Sequence, residues 1–137
     1  MAVAENRVIL VDSAGALITV AERTTLRILL TLQDETGAAI AKAALTTLTL
    51  TLYLRDLAAL TIINSVDDQN ILDTDRATVH ATSGLVTLTL LPLDNQIVTA
   101  TAALEWHRAL IEWTYNTGVK AGKMEIDFPV RNLAWVT

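Results

Sequence analysis

The sequence predicts an all-β sandwich, and three observations carry that expectation. Leucine or valine alternates with threonine at Leu48–Leu54, with Tyr53 in the series, and again at Val86–Leu90. A strand turns successive side chains to opposite faces, so this period of two makes one leucine face and one threonine face. In Leu45–Arg55 the apolar residues do not recur at the third and fourth positions that a helix would need. About eight strand-like runs follow one another with turn signals every ~8–12 residues, the rhythm of a sandwich.

Each element has a local reason. Arg7–Val11 reads as a short strand, then Asp12, Ser13, Ala14 and Gly15 as a turn, then Ala16–Val20 as a second apolar stretch. Residues 1–23 therefore form either an extended arm or an edge hairpin, with residues 24–137 as one sandwich domain. In Thr25–Gln33, Leu26, Ile28, Leu30 and Leu32 share one face, and Asp34 to Gly37 make a polar turn. Ala38–Ala44 reads as a helical turn or crossover. Leu45–Arg55 is the strongest strand, Leu60–Ile63 a short partner, and Asn64–Arg76 a polar, acidic loop. Ala77–Ala81 and Leu85–Leu91 form a hairpin around Ser83 and Gly84, ended by Pro92, which removes a backbone donor. Leu93–Ala103 reads as a helical turn plus loop. Trp106–Tyr115 alternates again, turns at Asn116–Gly118, and is followed by Met124, Ile126, Phe128 and Val130 on one face. Pro129 has the opposite parity, which points to a sheet edge or bulge.

Composition narrows the function classes. The 137 residues are enough for one domain with a substantial core. There is no cysteine, which excludes disulfides, thiol nucleophiles and cysteine-based metal sites. Apolar residues make up 52% and aromatics only 4%, so the core is aliphatic. A mean hydropathy of +0.42 implies a large core or apolar surface that meets another subunit. No apolar run reaches the ~18 residues of a membrane helix, and Glu5 and Arg7 interrupt the start where an export signal would be apolar. The expectation is a soluble protein made in the cytoplasm, without membrane contact. A net charge of −5 with scattered Lys and Arg argues against nucleic acid as a partner.

No constellation specifies catalysis. His80 and His107 lack zinc-site spacing. Ser13, Ser65 and Ser83 have no GxSxG setting, and neither phosphate-cradling glycine motif occurs. Glu112 and Asp127 lie in strands and could oppose one another as a carboxylate pair. Asp67, Asp68, Asp73 and Asp75 are hard oxygen donors and the one set of calcium candidates, although their spacing is not an EF-hand. The expectation is no enzyme, no catalytic residue and no cofactor. For contacts, Leu29 and Leu110 sit on the nominally outward faces of their strands, and Trp106 and Trp135 lie near strand ends where a large side chain suits an interface. Val8, Ile9 and Leu10 form an edge or arm that could pair with a neighbour.

From about Leu45 onward the sequence resembles small immunoglobulin-like β-sandwich proteins of tailed bacteriophage particles. The resemblance rests on Ile62–Ser65 and Gln69–Leu72, on Gly84–Leu91 with Pro92, Asp94 and Asn95, and above all on the closing strands Ala109–Tyr115 and Lys120–Phe128. The last pair is also similar to the N-terminal domain of phage baseplate upper proteins. It implies an immunoglobulin-like sandwich of about seven or eight strands and a virion role without catalytic residues. Within that role a capsid decoration or cement protein on major capsid subunits is the first expectation. A neck, tail or baseplate adaptor is the alternative, and the chain is expected to form a homo-oligomer. Outside this family stands a host-surface module that binds carbohydrate or calcium.

Overall fold

The computed structural model describes residues 7–56 and 59–135. Among them are nine strands: β1 (Arg7–Ile9), β2 (Val20–Ala21), β3 (Leu26–Thr31), β4 (Leu45–Leu54), β5 (Gln69–Asn70), β6 (Ala77–Val79), β7 (Leu85–Leu90), β8 (Leu104–Tyr115) and β9 (Lys120–Arg131). They form two sheets. One runs β1-β9-β8-β4-β5, with β2 also on β9; the other runs β3-β7-β6. This is the expected all-β sandwich, with the first strands placed on the β9 edge, where both run parallel to it. Residues 7–21 are thus the margin of the larger sheet. No helix among the described residues is long and apolar enough to cross a membrane.

The alternating segments divide as a period of two requires. Leu48, Leu50 and Leu52 of β4 and Leu88 and Leu90 of β7 are fully buried, as are Ile111 of β8 and Phe128 of β9. Each such side chain contributes roughly 1.5–3 kcal/mol relative to leaving it in water. Thr47, Thr49 and Thr51 lie on the outer face of the larger sheet, Thr87 and Thr89 on that of the smaller.

Turn chemistry fixes the connections. Asp12 accepts hydrogen bonds from the backbone N–H of Ala14 and Ala16 at 2.9 and 3.0 Å. Asp34 does the same for Thr36 and Ala38. Gly15 and Gly37 close these turns at φ of 85° and 86°, which a side chain would strain. The expected helical turns are 3₁₀ turns at Lys42–Ala44 and Pro92–Asn95. In the second, buried Asp94 is fully engaged. Arg76 donates to both its oxygens at 2.9 Å, Asn64 adds a side-chain bond and Leu91 a backbone N–H.

Two expectations change. Leu60–Ile63 is not a strand but a single bridge, Tyr53 to Ile62, because Asn64 and Ser65 turn into positive φ immediately after it. The segment Asn64–Arg76 is not simply a solvated loop. Val66 and Ile71 are fully buried and hold it against β4, so that Gln69–Asn70 pairs as β5.

Pro129 sits where its missing donor costs nothing. The carbonyls of Asp127 and Arg131 accept from Leu10 and Glu22, so odd-numbered residues of β9 direct their backbone groups at the sheet margin. Between those two bonds the chain leaves β9 for the Asp12 turn, and the edge opposite Pro129 needs no N–H.

Candidate interaction face

The outer face of the six-stranded sheet gathers most of the polar chemistry. Register sets its rows. Tyr53, Arg108, Asp127 and Ile9 lie side by side across β4, β8, β9 and β1. Trp106 lies beside Pro129, Thr51 beside Leu110 and Glu125, and Thr49 beside Glu112 and Lys123.

At the centre, Arg108 donates from Nε and Nη2 to the two carboxylate oxygens of Asp127 at 2.7 and 3.0 Å. That forked bond holds the guanidinium more firmly protonated than usual. Asp127 is only 3% exposed, so the pair is shielded from solvent. Arg55 stacks its guanidinium 4.1 Å above the Trp106 ring and donates to Asp56 at 2.8 Å. The Arg108 guanidinium lies 5.9 Å from the Tyr53 ring. Two arginines, a tryptophan and a tyrosine are thus locked against one another on a rigid sheet. Their rotamer freedom is already spent, so little is lost when a partner covers them.

Beyond Leu110 the face becomes small and flat. The Thr47 and Thr114 hydroxyls bond each other at 2.7 Å. They line a shallow, open depression of about 340 Å³ with Thr49, Asp68, Glu112 and Ala121.

The sequence-derived contact candidates separate in space. Ile9, Trp106 and Leu110 share this face. Leu29 does not: it lies on the outer face of the smaller sheet, 65% exposed, so Leu29 and Leu110 cannot form one patch. Val8 pairs with core-facing Ile126 yet is 43% exposed, and Leu10 packs at the core margin. Trp135 ends the closing 3₁₀ turn. The carboxylates Glu112 and Asp127 do not oppose one another, because the hairpin register sets Glu112 against Lys123 and Asp127 against Arg108.

The acidic loop does not converge. Asp73 pairs with Lys42 at 2.5 Å, the Asp68 N–H donates to the Thr51 hydroxyl, and Asp67 and Asp75 are exposed. Among the described residues no three histidine or carboxylate side chains are grouped to hold a metal ion. His80 accepts from the N–H groups of Thr82 and Ser83 and shapes its turn.

His107 is fully buried beside Phe128, its Nε2 2.6 Å from Glu105. Glu105 also accepts the N–H groups of Val98 and Thr99. Burial alone would raise the Glu105 carboxyl, but the His107 bond and the two backbone donors outweigh it and hold it at about 2. This pair fastens the 96–103 loop from inside.

Sequence reading missed Tyr53, Arg55 and Arg108, and it set Asp127 against Glu112 rather than Arg108. One signal was present: counting outward from the Asn116–Val119 turn sets Arg108 opposite Asp127. No protein-family model matches the chain, and no curated protein matches its sequence.

Proposed function

We propose that this chain is a non-enzymatic virion structural protein that docks through the outer face of its six-stranded sheet, as a decoration or cement protein on coat subunits. The observation that carries the reading is the Arg55–Trp106 and Arg108–Asp127 cluster beside Leu110. Arginine and aromatic side chains dominate binding hot spots, and here they are prearranged on the outer face of the larger sheet. The sequence resemblance of the closing strands supplies the virion context, since β8 and β9 are the strands that present the cluster. A neck, tail or baseplate adaptor uses the same face at lower copy number.

The test is binding to assembled particles. Leu110→Lys puts a charge in the middle of the face opposite Glu125, which accommodates it in the isolated fold. Loss of particle binding with unchanged thermal unfolding supports the reading, and unchanged binding overturns it. Copies per particle, counted by quantitative gel or mass spectrometry, separate a capsid coat from a ring.

A further inference from the structure

The second place where the sandwich is incomplete is the outer edge of β3. The Leu32 N–H donates to Gly84 at the β7 end. In an antiparallel pair alternate residues bond the partner, so Leu26, Ile28 and Leu30 address β7. Arg27, Leu29 and Thr31 therefore turn their N–H and C=O groups away from the sheet. No strand among the described residues pairs with them.

The β1 edge of the larger sheet also carries exposed apolar side chains. Val8 of β1 is in register with Ile126, which is 1% exposed, yet Val8 itself is 43% exposed. Val11 and Leu17, in the turn that follows β1, are exposed as well.

We infer that β3 of a second copy pairs with this open β3 edge, joining two small sheets into one continuous sheet through antiparallel β3–β3 pairing about Leu29. The sequence of the edge is self-complementary in that register. Leu29 meets its own counterpart, which buries the strand side chain that is 65% exposed in the single chain. Arg27 lies opposite Thr31 in both halves, so no like charges meet. Parallel pairing would set Arg27 against Arg27 and is disfavoured. In the two-fold arrangement the outward N–H and C=O groups of Arg27, Leu29 and Thr31 are all paired. This contact lies on the opposite layer from the arginine–aromatic face, so one copy can self-associate and dock at once.

Analytical ultracentrifugation of the purified chain, with circular dichroism as the folding control, tests it. The wild type is expected to dimerise reversibly. Leu29→Pro removes an N–H that the native ladder does not use, and it is expected to give a folded monomer. As a variant less demanding of the backbone, Leu29→Lys should do the same. Thr31→Asp sets an acid against Arg27 twice and should tighten dimerisation roughly fivefold, whereas Thr31→Arg should weaken it by a similar factor. Leu110→Lys should leave the dimer intact, which separates this contact from particle docking. A wild type that stays monomeric at millimolar concentration overturns the inference. So does a folded, dimeric Leu29→Lys variant, or Thr31→Asp and Thr31→Arg shifting the constant in the same direction.

Discussion

Arg108 and Asp127 face each other across β8 and β9 and are joined by two hydrogen bonds on the outer face of the larger sheet. Both are largely shielded, with side-chain exposures of 14% and 4%. Asp127→Ala leaves the shielded guanidinium with only the Glu125 carboxylate 3.7 Å away and should cost about 3 kcal/mol, the lower end for breaking a shielded pair. Arg108→Met added to Asp127→Ala should recover most of that loss, because the apolar pair removes the stranded charge. Urea unfolding of the two variants checks both statements.

Glu105 gives the fold an acid-sensitive contact. Its carboxyl is held at about 2 in the folded chain against an ordinary 4.5. A depressed carboxylate stabilises above its unfolded value, and that stability is lost as pH falls through the folded value. The window is therefore from about 4.5 down to about 2, and the loss is of the order of 3 kcal/mol. Glu105→Gln should lower stability near neutral pH and flatten this part of the acid limb. Unfolding midpoints against pH would reveal a Glu105 without that role as two parallel curves.

Gly122 lies under Trp113 in the neighbouring strand, and a Cβ at that position would fall 2.6 Å from the indole. Gly122→Ala forces the ring aside at a cost of about 1–3 kcal/mol. Trp113→Phe in the same chain should return part of it. A Gly122→Ala protein as stable as the wild type would mean that the indole moves freely, against its 5% exposure.

The leucine–threonine alternation makes the sharpest fold test. Leu50 is fully buried and Thr49 faces outward beside Asn70 and Glu112. Leu50→Asp buries an unpaired charge and should abolish folding. Thr49→Asp should cost less than about 1 kcal/mol, since its added charge stays in water beside Glu112. Circular dichroism melts of the pair distinguish them.

What could be read in advance follows from where the physics is local. The alternation of Leu48–Leu54 and Val86–Leu90 defines strands without help from the rest of the chain, and Pro129 announced its edge by a missing donor. The repeated Asp-x-x-Gly-Ala turns at Asp12–Ala16 and Asp34–Ala38 were equally legible, because one carboxylate closes each. Strand β5 was not. Gln69 and Asn70 carry no strand signal, and they pair only because Val66 and Ile71 are pulled into the core. The arginine–aromatic cluster needs partners from β4, β8 and β9 at once, so single-strand parity lists its members without joining them. For the same reason Leu29 and Leu110 look alike in sequence yet lie on opposite layers.

The most direct measurement of the assembly role is co-sedimentation of the purified chain with assembled particles, comparing the wild type with Leu110→Lys and Trp106→Ala. The wild type should saturate the particles at a fixed ratio, while both variants remain folded and stay in the supernatant. Variants that sediment as fully as the wild type, or a wild type that never leaves the supernatant, would contradict docking through the six-stranded face.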